Sequence, residues 1–324
     1  MYNQAELKNL VNKAIINLSY NLEAEQLIDP VKYILSIGGK RIRPVLALMG
    51  CNLFCDKIDD AMLPATGLEV FHNFTLVHDD IIDHALVRRN FPTVHSKWDI
   101  NQAVLSGDVM AFIANDCFLQ APPSCMARVF RVFNKAAVEV CIGQQMDIDF
   151  EKITSVSQDD YIRMIELKTA VLLAASVKIG AIIGGAGDKD SEFLYDFGRN
   201  LGLAFQIQDD LLDTYGDIKV FGKTPGGDIA SNKKTFLLVK AIETASGKQL
   251  KHLQELFTNK EFDPEIKIKE VINLYDQLNI KDITIKVAND YINNAFSLLG
   301  KVGVTKERKN ELISLANSLI GRNK

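Results

Sequence analysis

Twice in this chain, 130 residues apart, a largely apolar helical run meets the pattern Asp-Asp-apolar-apolar-Asp: Asp79-Asp80-Ile81-Ile82-Asp83 and Asp209-Asp210-Leu211-Leu212-Asp213. A carboxylate taken out of water costs several kcal/mol unless it is paired or binds a metal. The fold must therefore carry two apolar helices to places where acid is wanted. Residues i and i+4 of a helix differ by about 40° of rotation and about 6 Å of rise. Asp79 and Asp83 then share one face, as do Asp209 and Asp213. Two such rows facing each other would cage hard divalent cations, and through them a polyphosphate. Magnesium suits that arrangement, since it takes a few carboxylate oxygens and completes its shell with water and phosphate oxygens. A solvated acidic helix end would account for one cluster; a second copy in a matching context argues against it.

The rest of the pattern is helical almost throughout. Leu7, Leu10, Val11, Ala14, Ile15 and Leu18 follow the 3.6-residue period. Asp29-Pro30 and Leu63-Pro64 read as helix starts, the second helix running into the first aspartate cluster. Ser157 caps a helix from Gln158. Asp188 to Asp213 reads as one helix that stops at Tyr215-Gly216. Asp263-Pro264, Asp282 and Thr305 open three more. No period-2 strand, glycine-rich phosphate loop or low-complexity linker is evident. The irregular stretches are Gly38 to Arg43, His84 to Asp99 and Gly216 to Asn232, and the two longer ones each directly follow an aspartate cluster. The expectation is one all-α domain, residues 1–324, of ten or more helices, with its binding residues on loops beside the clusters.

Composition narrows the function classes. With 37 basic and 41 acidic side chains the net charge is −4, which disfavours non-specific nucleic-acid binding. Any cationic site must be local. Nearly half the residues (47%) are hydrophobic, enough for a large core. The five cysteines, Cys51, Cys55, Cys117, Cys125 and Cys141, lack metal-site spacing and read as buried free thiols of a reducing compartment. The N-terminus shows no signal-peptide pattern, and the most apolar stretch, Thr169 to Gly185, is broken by Lys178. A cytoplasmic protein without a membrane span is expected.

Other polar residues follow the same faces. His72 lies seven residues before Asp79; Gln206 lies three before Asp209 and seven before Asp213. Gln144 and Asp147 form a pair at i, i+3. Lys168-Thr169 interrupts an apolar helix, where a buried lysine needs an anionic partner. Cations gather in the loops. Gly38-Gly39-Lys40-Arg41-Ile42-Arg43-Pro44 places two glycines and three cations at a helix start, where free N–H groups and the dipole favour phosphate. Arg88-Arg89-Asn90-Phe91-Pro92 follows the first cluster; Lys223, Lys233 and Lys234 follow the second.

These motifs, from Gly38-Gly39-Lys40-Arg41-Ile42-Arg43-Pro44 through the first cluster with Arg88-Arg89 to Phe205-Gln206-Ile207-Gln208-Asp209-Asp210-Leu211-Leu212-Asp213, occur in the order that closely resembles the trans-isoprenyl diphosphate synthases, or polyprenyl synthetases. The resemblance spans about Gly38 to Lys234. It implies the all-α isoprenoid synthase fold around a central cavity, usually as a homodimer. It also implies condensation of an allylic diphosphate (dimethylallyl, geranyl or farnesyl) with isopentenyl diphosphate. Carried onto these residues, Asp79 and Asp83 would bind two Mg2+ ions and Asp209 a third. Arg88, Lys168, Lys223 and Lys233 would hold the allylic diphosphate. Lys40, Arg43, His72 and Arg89 would hold isopentenyl diphosphate, and Thr169 and Gln206 would line the site where positive charge develops. Two departures stand out. Asn90 replaces the glycine that often follows the arginine pair. The acidic residue that many members carry before the lysine is missing from Gly226-Gly227-Asp228-Ile229-Ala230-Ser231-Asn232-Lys233, which leaves Lys233 or Lys234 as the contact.

Product length should depend on what blocks the space beneath the first cluster. Phe74 is five residues before Asp79, about 7.5 Å down the helix. Phe71 is a turn deeper, and Thr75 beside Phe74 is small. One aromatic at Phe74 resembles the geranylgeranyl (C20) synthases of archaeal type; C15 comes second and longer chains third. A terpene cyclase shares the fold but binds no second diphosphate, and so has no use for Lys40, Arg43 and His72. A non-catalytic prenyltransferase subunit would have lost a cluster or its basic partners.

Overall fold

A proline normally ends a helix, yet two of the longer helices run straight through one. In the computed structural model, which describes residues 1–18, 24–216, 225–258 and 263–320, α2 covers Glu25–Ser36 and α4 covers Asp59–Ile82. Pro30 and Pro64 therefore sit inside helices, and the starts expected at Asp29-Pro30 and Leu63-Pro64 lie four to five residues further upstream. Pro30 cannot donate to the carbonyl of Gln26, but the Gln102 side chain does so at 2.8 Å. A tertiary bond thus satisfies the group that proline orphans.

The other helices are α1 (Gln4–Ile16), α3 (Ile42–Asn52), the single turn α5 (Val94–Lys97), α6 (Ile100–Phe118), α7 (Met126–Phe150), α8 (Gln158–Ile165), α9 (Val171–Ile183) and α10 (Asp188–Tyr215). They are followed by the short α11 (Gly227–Ala230), α12 (Phe236–Thr244), α13 (Gly247–Thr258), α14 (Pro264–Gln277), α15 (Ile280–Gly300) and α16 (Lys306–Ile320). Ser157 and Asp263 cap α8 and α14 through their side chains, as their positions suggest. The helix expected from Asp282 starts at Ile280 instead, behind a left-handed Asn279. The fold is all-α. Among the described residues the one sheet is a hairpin, β1 (Val87–Arg88) with β2 (Phe91–Pro92). Its two-residue turn has φ of 53° at Arg89 and 66° at Asn90. Asn tolerates the left-handed region better than other non-glycine residues, so Asn90 replaces a glycine there at little cost.

Contacts divide the chain into two compact units where the sequence suggested one domain. The first comprises Met1–Lys135, Ala175–Tyr195 and Val302–Ile313; the second comprises Ala136–Ala174, Asp196–Lys301 and Ser314–Lys324. In the first, α4 lies against α3 and α6. Gly180 of α9 lets α3 approach so closely that a Cβ there would land on the Ala47 carbonyl. Phe71, Phe118 and Phe133 form the aromatic part of this core, with Phe118 and Phe133 stacked at 3.9 Å between ring centroids. In the second unit, one buried cluster joins α8, α10 and α12 through Tyr161, Met164, Ile207 and Phe236. Another joins α12, α13 and α14 through Leu238, Leu256 and Tyr275.

The cysteines are all free, but they are not all buried: Cys51 and Cys117 are, Cys55 and Cys125 are half-buried, and Cys141 is exposed. No helix among the described residues is long and apolar enough to cross a membrane.

Candidate active site

In the first unit α4 delivers Asp79, Asp80 and Asp83 to its C-terminal end. The outer two face away from the core: Asp79 is half-buried and Asp83 exposed. Asp80 is buried and is gripped by Arg88, whose Nε lies 2.9 Å from both carboxylate oxygens and whose Nη2 lies 2.6 Å from Oδ1. The middle aspartate thus ties the hairpin to α4, while Nη1 of Arg88 stays outside the pair. Thr93 closes the loop by donating its hydroxyl to the Ala85 carbonyl at 2.8 Å. Tyr33 donates to the Pro92 carbonyl at 2.8 Å and packs edge-on to Trp98, the one tryptophan of the chain.

The next turn of the hairpin reaches the glycine loop. Arg89 donates to the Gly38 carbonyl, and a Cβ on Gly39 would lie 2.8 Å from Nη1 of Arg89. Glycine at 39 is what allows this approach. Arg41, left-handed at φ 55°, turns inward and pairs with buried Glu69 at 2.7 Å. It also donates to the Leu35 carbonyl and to Asn12. Arg41 therefore serves the fold, while exposed Lys40 and half-buried Arg43 flank it. Nε of Arg43 is buried without a partner, which is costly unless a ligand completes it. Burial, opposed by Glu69 and reinforced by Arg89, lowers the Arg43 pKa to about 10. His72 sits in the same field. Burial first, then the charges of Arg43, Arg89, Arg88 and Arg41, holds its pKa well below the usual histidine value, so the ring is neutral. Arg43, His72, Arg88 and Arg89 belong to one cationic patch, with Lys40 beside Arg41 in the chain and two buried carboxylates, Glu69 and Asp80, beneath it.

Below the first cluster, Phe74 is half-buried, with its ring 5.4 Å from Phe71 and 4.8 Å from His78. Thr75 donates its hydroxyl back to the His72 carbonyl at 2.8 Å.

The second unit repeats the inner–outer division. Asp209 is exposed and Asp213 half-buried, whereas Asp210 is buried. Asp210 accepts from the Tyr161 hydroxyl, from the Phe236 amide at 2.9 Å and from Gln206 at 3.3 Å. Burial pushes its pKa up to about 7 against those hydrogen bonds. Asp213 accepts from the Asp228 amide at 2.8 Å and so holds the start of α11.

Two glycines bring the remaining polar residues in. A Cβ on Gly143 would collide with the Lys168 backbone, and one on Gly202 with Ala170 at 2.6 Å. One turn after each glycine stands its polar partner. Asp147 meets Nζ of Lys168 at 2.5 Å, and Gln206 accepts from the Thr169 hydroxyl at 3.2 Å. Lys168 and Thr169 lie on a π-helical turn, Glu166–Ala170, which the apolar pattern did not announce. Lys168 is half-buried rather than buried, and Asp147 is its anion. Lys168, Thr169, Gln206, Asp147, Asp210, Lys233 and Lys234 line one pocket with Asp228. Burial and then Asp213 raise the Asp228 pKa to about 6. Asp228 carries no motif of its own in the sequence; only its place directly after Gly226-Gly227 hints at a tight turn. Lys223 lies outside the described residues.

The profile of the polyprenyl synthetase family matches residues 24–275. The chain belongs to the polyprenyl synthetase family. Among relatives in that family, the geranylgeranyl diphosphate synthase of Sulfolobus acidocaldarius is 35% identical over 92% of this chain and 90% of its own. The short chain isoprenyl diphosphate synthase of Methanocaldococcus jannaschii is 38% identical over 82% of each. A crystal structure of a geranylgeranyl pyrophosphate synthase superimposes with a TM-score of 0.94 at 39% identity, covering both chains completely. Polyprenyl synthetase membership accounts for the order of the motifs and for the all-α isoprenoid synthase fold. It leaves the metal ions to the donor chemistry. Among the described residues no three His, Cys, Asp or Glu side chains gather into a metal site. The carboxylates of Asp79, Asp83 and Asp209, the first half-buried and the other two exposed, are hard oxygen donors of the kind magnesium takes beside water and phosphate oxygens.

Proposed function

We propose that this polyprenyl synthetase is a magnesium-dependent trans-prenyltransferase that condenses isopentenyl diphosphate with an allylic diphosphate and makes chiefly the C20 product, geranylgeranyl diphosphate. The observation that carries the reading is the division within each cluster: the middle aspartate is buried and bonded to protein groups, while Asp79, Asp83 and Asp209 are half-buried or exposed. Asp79 and Asp83 hold two Mg2+ ions and Asp209 a third. The metal supplies Lewis-acid charge to the leaving diphosphate. Arg88, through Nη1, and Lys168, Lys223 and Lys233 neutralise the allylic diphosphate as it departs. Lys40, Arg43, Arg89 and the neutral ring of His72 hold isopentenyl diphosphate, so that its alkene meets the allylic cation as a held neighbour rather than by collision. Thr169 and Gln206 turn oxygen atoms toward the developing positive charge. The departed diphosphate accepts the proton lost on forming the new double bond. The patch around Arg43 favours this reaction over that of a terpene cyclase, which binds no second diphosphate. The family match runs through both compact units, which supports treating 1–324 as one catalytic module.

Incubation with isopentenyl diphosphate, each primer in turn and Mg2+, followed by product mass measurement, tests the proposal. A C20 diphosphate from any of the three primers, abolished by EDTA, is expected. Turnover of an allylic diphosphate without isopentenyl diphosphate would instead identify a cyclase. Asp79→Ala and Asp209→Ala should each lower kcat by about 10³-fold; near-normal rates in either would remove the metal assignment.

A further inference from the structure

Lys267 lies in the first turn of α14, far from every motif singled out in the sequence, and it is only 4% exposed. A cation there opposes the helix dipole and loses its hydration, both of which cost stability. Burial, and then the charge of Lys234, lowers its pKa. Among the described residues its ammonium meets Oδ1 of Asn232 at 2.5 Å and the face of Phe257 at 4.6 Å from the ring centroid. A methionine would fill the same space more cheaply.

What the ammonium holds is specific. Asn232 has a left-handed backbone, φ 60°, and is followed directly by Lys233 and Lys234, which line the pocket with Lys168 and Thr169. The far end of this segment is pinned by the bond from the Phe236 amide to Asp210. The near end is pinned at Asp213, which receives the amides of Gly226 and Asp228 through its carbonyl and carboxylate. Between these anchors, the Lys267–Asn232 bond fixes the middle of the loop.

We propose that Lys267 is a positioning residue for the allylic diphosphate: through Asn232 it sets the place of Lys233 and Lys234 while touching no substrate itself. The proposal rests on the reading above that this lysine pair meets the allylic diphosphate. Lys267→Met keeps the packing on Phe257 and removes the charge. It should raise KM for the allylic substrate about tenfold, leave KM for isopentenyl diphosphate within about twofold, change kcat little, and leave Tm equal or higher. Asn232→Gly keeps the left-handed backbone and deletes the acceptor, so it should give the same split, and the double variant should add nothing further. Lys267→Arg should restore most of the loss. Normal allylic KM in both single variants overturns the proposal, as does an equal rise for both substrates accompanied by a fall in Tm. Lys233→Ala and Lys234→Ala separate the layers. If neither raises allylic KM, the underlying site assignment fails. If either does while Lys267→Met and Asn232→Gly do not, only the role of Lys267 fails.

Discussion

Asp80 and Asp210 carry the same residue type as their neighbours yet have a different task, because one side of each helix is protein and the other is not. Asp80 is almost wholly buried against Arg88, which is itself about a quarter exposed. Asp80→Ala would leave that guanidinium without its anion and is expected to cost about 3 kcal/mol, read as a lowered urea midpoint at unchanged m-value. His72 gives a prediction with a sign. Its folded pKa is depressed, so below about pH 6.5 the unfolded chain takes a proton that the native ring refuses. The associated stability is present above the unfolded pKa and is lost as pH falls. His72→Gln should therefore flatten the decline of Tm from pH 7 to pH 5, checked by thermal melts across that range. Helical spacing sufficed to separate Asp79 and Asp83 from Asp80. The identity of the partner did not follow from spacing, because Arg88 reaches back to Asp80 from the hairpin, eight residues further along the chain. Lys267 was invisible for a stronger reason: its contact with Asn232 joins segments 35 residues apart that share no pattern.

At the level of the element, capping residues marked α8 and α14 correctly because their signals are local. The start of α2 lies upstream of the proline because the carbonyl that Pro30 strands at Gln26 is rescued by Gln102, 76 residues away. The π turn at Glu166–Ala170 escaped the sequence reading for a similar reason. An extra residue in a helix changes no composition, only the direction in which Lys168 and Thr169 emerge. Along α4, Phe74 stands about 7.5 Å below Asp79 with Phe71 and Phe133 behind it. Phe74→Ala should remove the first barrier to a growing chain and shift the product distribution above C20, measured by mass. An unchanged distribution would make Phe74 an ordinary core residue.

For the molecule as a whole, α6 and its C-cap present Leu105, Phe112 and Leu119, spaced by seven residues and exposed by 55, 69 and 50%. A stripe of that kind is expensive to leave in water, and the homodimer that the family resemblance implies would give it a cover. Phe112→Asp should shift the sedimenting species from dimer toward monomer; an unchanged distribution would place the interface elsewhere or nowhere. One tryptophan serves all 324 residues, and it stands beside the arginine hairpin. Trp98 touches Tyr33, whose hydroxyl holds Pro92, and the ammonium of Lys97 lies 4.6 Å from its ring. The chain thus carries its own optical label beside the hairpin. On the proposed assignment of diphosphate to Arg88 and Arg89, titration with either substrate should change its emission, with no dye attached and no second indole to blur the signal.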